Sequence, residues 1–370
     1  MSLLQSTDSN APPEPVATGD LSVPNSRSFD LVLNTWPIDF TPEAVDKTYA
    51  FIGQHADMVG QHIDKGIPWP EAFEGKPFHE KVQEWIDYAA NRLPGKRVYL
   101  AVSPINSRRN GLNDYWANGD HDGRPGRWKK KSFDDLEVIT AYVNYCNRLI
   151  ELFKPVYMVY GIEANMLAEK KPELFQSYTR MTAEVYRRLK EGHPNLPLSL
   201  SFHLGTYAND ELHQRKVIRQ LLPYTDYITI STYPYMTISG GRFGALYPDP
   251  ASIPRDWLRQ VRNLAPGKPF AVAETGFPAE PFDVFLFNFP ASERWQADYV
   301  KWLFKESNAL DARYVMWFIP MDYDPLWRKV ALLGLGSVFK LFRDTGLADD
   351  SGKERLALKI WDAWRKVPKR

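Results

Sequence analysis

Two glutamates close runs of apolar residues in this 370-residue sequence: Glu163 follows the run 156–162, and Glu274 follows the run 270–273. Burying a carboxylate behind such a run is costly unless the group is paired or has a chemical purpose. Two opposed carboxyl groups can cleave a glycosidic bond, because one protonates the leaving oxygen while the other attacks the anomeric carbon or activates water. The pair therefore favours glycoside hydrolysis, with an ion-paired structural role for either residue as the alternative.

The segments that must position both glutamates follow a regular plan. From residue 29 onward, a short apolar run and a longer amphipathic stretch alternate eight times, and the runs are rich in the residues of buried parallel strands. The predicted strands one to eight are Phe29–Trp36, Ala56–His62, Arg97–Asn106, Val156–Asn165, Leu198–Gly205, Tyr227–Tyr235, Phe270–Phe277 and Tyr314–Asp322. Eight such units predict an α/β fold of the (β/α)8 TIM barrel type. An open doubly wound sheet is the alternative, and the lack of a glycine-rich phosphate loop after strand one counts against it.

The chain is expected to hold one domain behind a leader. Residues 1–25 are rich in Ser, Pro, Asp and Thr and predict a disordered leader, whereas residues 26–370 predict a single catalytic barrel. Strand–helix loops three, six, seven and eight are long and cover 107–131, 236–253, 278–292 and 323–353. Such loops lie at the C-terminal face of a barrel, so they are expected to form the walls of a cleft.

The composition indicates which kinds of molecule the protein binds. A net charge of +1 gives no reason to expect nucleic acid or an anionic membrane surface, and no run is apolar enough to span a bilayer. The 12 Trp, 19 Tyr and 20 Phe exceed an ordinary core and suit stacking on sugar faces, with normal packing as the alternative for any one ring. A carbohydrate substrate and a monomeric state are therefore expected.

Neither a metal ion nor a cofactor is expected. No histidine pair has zinc spacing, and the single cysteine, Cys146, lies on the apolar stripe of a predicted helix, which indicates a core residue. The leader has no basic start and no apolar run, so it is not an intact signal peptide. It is compatible with a chain from which a signal has been removed, and a secreted or periplasmic location is the expectation.

Further polar and aromatic residues at strand ends are candidate sugar ligands. Trp36, His62, Asn106 and His203 belong to the predicted ends of strands one, two, three and five. Asn165 follows Glu163 by two residues and would point to the same side of strand four if that strand continued. A hydrogen-bonded residue of the barrel rim is the alternative for each of them.

The sequence resembles the clan A glycoside hydrolases, which are retaining (β/α)8 enzymes with glutamates closing strands four and seven. Within that clan it is most similar to the arabinogalactan endo-β-1,4-galactanases of glycoside hydrolase family 53. The segment Ile230–Tyr235 resembles that family's Ser-Tyr-Tyr-Pro segment, Val272–Thr275 resembles its strand-seven glutamate segment, and the tail 345–361 resembles its closing segment. The eight-strand plan covers nearly the whole chain, and these passages cover its second half.

This resemblance implies roles for four residues. Glu163 would be the acid/base, Glu274 the nucleophile, Tyr233 the hydrogen-bond donor that holds Glu274 ionised, and Trp317 the floor under the sugar. Such chemistry needs a raised pKa on the acid and a low pKa on the nucleophile. One residue departs from the pattern: Ile162 stands where the clan has an Asn that contacts the sugar 2-hydroxyl.

These observations predict a retaining β-glycoside hydrolase that acts by double displacement, within a polysaccharide or oligosaccharide. A non-catalytic carbohydrate-binding TIM barrel is the main alternative, and Ile162 is the residue that favours it. A metal-dependent hydrolase or an aldolase on the same fold is a weaker alternative, because there is no metal triad and no lysine at a strand end. Galactan, mannan and glucan all stay open as substrates.

Overall fold

The computed structural model describes residues 23–119, 122–237, 244–284, 286–332 and 339–370. Residues 1–22 of the predicted leader lie outside the described residues. The two ends of the described chain meet, because Arg27 forms a parallel bridge with Lys369 and its backbone N donates to Pro368 O at 3.0 Å.

Nine parallel strand segments form one sheet. Strand one is Asp30–Asn34, two is Met58–Ile63, three is Arg97–Val102, four is Tyr157–Val159, five consists of Leu198–Ser199 and Ser201–His203, six is Ile228–Thr232, seven is Phe270–Thr275 and eight is Tyr314–Trp317. The first piece of strand five pairs with strand four and its second piece pairs with strand six, while strand one pairs with strand eight. Since the two pieces are consecutive in the chain, the sheet closes, and the predicted (β/α)8 barrel is confirmed.

Side chains along the strands alternate between the barrel interior and the helix layer. The interior cluster consists of Val32, Met58, Tyr99, Ala101, Val159, Ile162, Tyr227, Ala271, Ala273, Tyr314 and Met316. Tyr227 also donates to Met158 O at 3.3 Å, which satisfies its buried hydroxyl. The interior is thus a packed core, and active sites of this fold lie at the C-terminal face of the barrel.

Amphipathic helices cover the outside of the barrel. They are α1 Pro42–His55, α2 Trp69–Glu74, α3 Glu80–Asn91, α4 Leu136–Phe153, α5 Asn165–Lys170, α6 Pro172–Gly192, α7 Leu204–Asn209, α8 Glu211–Leu221, α9 Arg259–Arg262, α10 Glu293–Ala309, α11 Asp324–Leu332 and α12 Leu356–Arg365. Thr41 caps α1 as its sequence indicates, since its hydroxyl accepts from Ala44 N at 3.2 Å. Cys146 is buried in α4, where burial raises the pKa of its thiol.

The long loops lie at the C-terminal face and carry small elements of their own. Loop six contains the antiparallel pair Met236–Thr237 and Gly244–Ala245, and loop seven contains the pair Phe282–Val284 and Phe287–Phe289. Loop eight contains α11. Within the described ranges, no helix has the length and apolarity needed to cross a membrane.

Candidate active site

A β-bulge in strand seven turns Glu274 toward the mouth of the barrel. Ala273 points into the barrel interior, so strict alternation would send the next side chain outward. The register against strand six shifts instead, because Val272 lies opposite Ile230 whereas Glu274 lies opposite Ser231. The extra residue re-aims the glutamate, as bulges beside functional sites do.

Glu163 reaches the same mouth from a turn. Strand four ends at Val159, and Glu163 follows in the left-handed region with a φ of 50°. The hydroxyl of Ser201, on strand five, fixes this turn by accepting from the Glu163 backbone N at 2.8 Å. A non-glycine residue in such a conformation costs about 1–3 kcal/mol and is typical of functional sites. The predicted strand four, which extended to Asn165, was therefore too long.

The side chain of Glu163 is held as a carboxylate. Its Oε2 accepts from Arg109 Nε at 3.0 Å, and its Oε1 accepts from the Ser231 hydroxyl at 2.7 Å. Burial works to raise the pKa of Glu163, but the Arg109 charge, the nearby His203 and the two hydrogen bonds outweigh it and lower the pKa to about 2.

Glu274 is in the opposite electrostatic state. The Tyr233 hydroxyl donates to its Oε1 at 2.5 Å, and His62 Nδ1 lies 3.9 Å from its Oε2. Burial, followed by the negative charge of Glu163, raises the pKa of Glu274 to about 8 although the Tyr233 hydrogen bond and Arg109 work to lower it. The opposed pKa shifts favour a pair that holds one proton near pH 7, with Glu274 as the favoured site.

The two pKa directions are the reverse of those predicted from the sequence. The prediction placed Glu163 in an apolar surround and relied on Tyr233 to keep Glu274 ionised. The structure instead places a guanidinium against Glu163, and a single tyrosine hydroxyl does not offset the burial of Glu274. The predicted contact between Tyr233 and Glu274 is present.

Arg109 is the cation that the sequence analysis missed. It belongs to loop three, is 6% exposed and has a left-handed φ of 56°. Its Nη1 donates to Asp64 Oδ2 at 2.8 Å and to Asn106 O at 3.0 Å. Asp64 directly follows strand two, so a search of strand ends could have found it. No sequence signal marks Arg109 within its long loop.

Trp317 does not form the floor of the site, and that prediction was wrong. The side chain is fully buried in the helix layer, where its Nε1 donates to Thr345 O at 2.8 Å and its ring lies 6.3 Å from that of Trp361. Because Met316 points into the barrel, alternation sends Trp317 outward and Phe318 toward the mouth. Phe318 packs there against His62, with ring centroids 5.3 Å apart.

Trp36 and His62 lie beside Phe318, as residues of a sugar-binding surface would. The Trp36 and Phe318 ring centroids are 5.9 Å apart. Burial lowers the pKa of His62 to about 4, so its ring is neutral near pH 7. Among the described residues, Trp36 Nε1 and His62 Nδ1 are buried atoms without a hydrogen-bond partner, and such atoms in a cleft are suited to hydroxyl groups of a ligand.

Asn165 is built into the barrel wall. The chain has already turned into α5 at this residue, so the strand-based orientation does not apply. Its Nδ2 donates to His203 O at 3.1 Å and to Gln214 Oε1 at 2.9 Å, while its Oδ1 accepts from His203 N at 2.7 Å. The side chain is fully buried, and this geometry assigns it to supporting strand five rather than to contacting a sugar.

His203 and Asn106 also have structural partners. His203 caps α7, because its Nδ1 accepts from Thr206 N at 3.0 Å. Asn106 exchanges two hydrogen bonds with Asn110, at 2.9 and 3.0 Å, and so shapes the turn that carries Arg109. Both residues therefore organise the rim, and their predicted contact with a sugar stays a prediction.

One group of carboxylates has a spacing that would suit a metal ion. Oxygen atoms of Asp322, Asp324 and Asp344 lie within 4.8 Å of one another near the end of strand eight. Arg355 pairs with Asp322, and Arg343 pairs with Asp344 at 2.6 Å, so cations of the protein already compensate this group. We interpret the group as a structural anchor of loop eight.

The fold has counterparts among solved structures. The exo-β-1,4-mannosidase from Opitutaceae bacterium strain TAV5 matches with a TM-score of 0.64 and 12% identity, over 92% of this chain and 60% of that one. The GH5_18 protein from Streptomyces cattleya, in complex with Manb1-4GlcNAc, matches with a TM-score of 0.60 and 13% identity, over 91% and 80%. The GH53 catalytic domain from Ignisphaera aggregans matches with a TM-score of 0.54 and 15% identity, over 94% and 98%.

The fold is thus similar to that of clan A glycoside hydrolases, which confirms the predicted resemblance at the level of the fold. The chain spans 60% of the mannosidase and about a third (34–35%) of the Bacteroides uniformis β-glucuronidases that also match. No protein-family model matches the sequence, and no curated protein matches it.

Proposed function

We propose that the protein is a glycoside hydrolase that cleaves a β-glycosidic bond with Glu163 and Glu274. One observation carries this proposal: two glutamates, one in the turn after strand four and one near the end of strand seven, face the same barrel mouth, and their opposed pKa shifts favour one carboxylic acid beside one carboxylate. One carboxylic acid and one carboxylate are the two species that the cleavage needs. The likeness to glycosidase barrels supports the same reaction.

In this proposal Glu274 is the nucleophile and Glu163 is the acid/base. Glu274 attacks the anomeric carbon while Glu163 protonates the leaving oxygen, and water activated by Glu163 then releases the sugar with retention. Tyr233 supports the nucleophile through its hydrogen bond to Oε1. Because Arg109 stabilises Glu163 as a carboxylate before a substrate binds, the proton favoured on Glu274 must pass to Glu163 when the substrate engages.

A chain-like β-linked substrate, cut internally, is the proposed specificity. In this fold the long loops three, six, seven and eight lie around the mouth. Trp36 and Phe318 offer aromatic surface beside His62, whose Nδ1 lies 3.9 Å from Glu274 Oε2. β-Mannosides join β-galactans and β-glucans as candidates, because one similar structure is a β-1,4-mannosidase and another holds Manb1-4GlcNAc.

Reducing-end release from a panel of β-1,4-mannan, β-1,4-galactan and β-glucans tests the proposal. The native protein should release reducing ends from at least one member, and Glu274→Gln should lower the rate by about 10³-fold or more. ¹H NMR of the first product should show the β-anomer before mutarotation. Release at equal rates by both proteins would contradict the assignment of Glu274.

A non-catalytic carbohydrate-binding barrel is the second candidate, and two observations favour it. Arg109 neutralises the proposed acid, and Ile162 is 1% exposed within the barrel core, where it offers the sugar no polar contact. Binding of a panel member without any release of reducing ends would establish this candidate in place of the first.

A further inference from the structure

Arg109 joins two carboxylates that come from different parts of the barrel. Its Nη1 bonds Asp64 after strand two, and its Nε bonds Glu163 after strand four. Both Arg109 and Glu163 have left-handed backbones, at φ 56° and 50°. Two such residues in direct contact indicate that the surrounding structure enforces the arrangement.

We propose that Arg109, clamped by Asp64, is a positioning residue that opposes protonation of Glu163 until a substrate binds. The proposal rests on the proposed function, for which the location of the shared proton is decisive. With Arg109 on Glu163, the proton stays on Glu274 and the pair is not set for cleavage. A substrate that draws Arg109 away from Glu163 would move the proton to Glu163 and set the pair.

Among the charged groups around the two glutamates, Arg109 contributes most to the difference between their pKa values. Glu163 faces Arg109 and His203, with Ser231 as a neutral donor, and Lys170 is the next cation on α5. Glu274 faces Glu163, Asp64 and Arg109, with Tyr233 as a neutral donor and His62 close by. Burial lowers the pKa of both His62 and His203, so neither ring is a permanent cation near pH 7.

Asp64 holds Arg109 in place and also offers a free oxygen atom to a ligand. Its Oδ2 bonds Arg109, while its Oδ1 is a buried atom with no hydrogen-bond partner among the described residues. A sugar hydroxyl that donates to Oδ1 would compete for the charge that clamps Arg109. The geometry thus gives a polyhydroxylated ligand a direct route to loosening the Arg109–Glu163 contact.

Infrared titration of the carboxyl groups in the full-length protein, without substrate, tests the proposal independently of activity. In the native protein, the protonated-carboxyl band at pH 6 should lose its Glu274 component with Glu274→Gln and keep that component with Glu163→Gln, while the buried Asp322, whose pKa is also raised, contributes equally to all samples. Arg109→Gln should move the titration midpoint of Glu163 upward by about 1–3 pH units. At pH 4, the protonated-carboxyl band should then fall when Glu163→Gln is added to Arg109→Gln.

Three further variants act as controls. Arg109→Lys retains the charge and should restore most of the native titration. Asp64→Asn weakens the clamp but leaves the Arg109 charge in place, so it should raise the Glu163 midpoint by less than Arg109→Gln does. Arg187→Gln removes a cation from an exposed ion pair on α6 and should change nothing. If Arg109→Gln fails to fold, Arg109→Met removes the same charge with a side chain of similar length.

An unchanged Glu163 midpoint in both Arg109→Gln and Arg109→Met would overturn the proposal. A failure of the proposed function looks different: the titration would follow Arg109 as described, but no panel member would be cleaved. If cleavage is found, the acidic limb of the kcat/KM profile should move with Arg109→Gln by the same interval as the infrared midpoint. An unmoved limb beside a moved midpoint would contradict the catalytic part of the proposal.

Discussion

At the scale of single residues, Glu163 and Glu274 differ through a few contacts. Both are buried, so burial alone would raise both pKa values. Arg109 touches Glu163 directly and acts on Glu274 only at longer range, and the negative charge of Glu163 then raises the pKa of Glu274. Two carboxyls in one site therefore reach about 2 and about 8, and one proton serves the pair.

The pKa of Glu274 predicts a pH-dependent gain in stability for Glu274→Gln. Its pKa is about 8 in the folded protein and 4.5 ordinarily, so the stability it contributes is complete below pH 4.5 and is lost as the pH rises through 8. Glutamine does not titrate. The free energy of unfolding of Glu274→Gln relative to the native protein should therefore rise by about 4 kcal/mol between pH 5 and pH 9. Urea unfolding at both pH values measures it, and a pH-independent difference would contradict the raised pKa.

Tyr233→Phe removes the hydrogen bond that works to lower the pKa of Glu274. The pKa should rise further, so the alkaline limb of kcat/KM should move to higher pH, and kcat should fall by about 10–100-fold. Tyr235→Phe is the matched control, because its hydroxyl donates to Leu341 O and not to a glutamate. Equal pH profiles for the two variants would contradict the proposed role of Tyr233 in setting the pKa of Glu274.

At the scale of elements, two local irregularities position the chemistry. Strand seven needs a bulge at Ala273 to direct Glu274 into the mouth, and strand four ends early so that Glu163 can occupy a left-handed turn. Regular alternation from Ala273 would turn Glu274 away from the mouth. The barrel brings the two strand ends close together, and these local irregularities set the directions of the two side chains.

Two neighbouring residues of strand eight are predicted to differ in role, with Trp317 in the core and Phe318 in the cleft. Trp317→Ala should destabilise the protein by about 3–5 kcal/mol, because it removes a buried ring from the helix layer. Phe318→Ala should cost less stability and lower kcat/KM by about 10-fold or more, because Phe318 lies beside His62 at the mouth. Thermal unfolding and rates on the same samples measure both effects, and a larger catalytic loss for Trp317→Ala would contradict this orientation.

The eight strands could be predicted because each is a distinct apolar run, and every predicted strand overlaps an observed one. Glu163, Glu274 and the Tyr233 contact could also be predicted, since they lie at recognisable strand ends. The directions of the Trp317 and Phe318 side chains could have been derived from the alternation along strand eight, starting from Tyr314 in the barrel interior. Arg109 could not, because its position depends on the path of a long loop, and a bulge such as that at Ala273 leaves no mark in the sequence.

At the scale of the whole molecule, Arg355 ties distant segments together beneath loops seven and eight. It pairs with Asp322 after strand eight, with Glu280 in loop seven at 2.7 Å and with Glu293 of α10 at 3.3 Å. The arginine is 5% exposed and directly precedes α12. These contacts hold two walls of the cleft to the last helix of the barrel.

Removing only one partner of this network should be costly. Arg355→Met should destabilise the protein by about 3–5 kcal/mol, because it leaves Asp322 as an uncompensated buried acid. The double variant Arg355→Met/Asp322→Asn should recover part of that loss, since no lone charge remains. Arg370→Gln, in an exposed pair with Asp311, is the control and should cost under about 1 kcal/mol. No recovery in the double variant would argue against a direct pairing.

The central claim is that Glu163 and Glu274 form one catalytic unit, and reducing-end release by four proteins tests it most directly. These are the native protein, Glu163→Gln, Glu274→Gln and the double variant, compared on the panel member that the native protein cleaves. Residues that act as a unit are strongly non-additive. We therefore expect each single variant to lose about 10²–10⁴-fold and the double variant to be little worse than the poorer single one. Single variants within a few-fold of the native rate would contradict the claim, and catalysis would then have to reside elsewhere in the barrel.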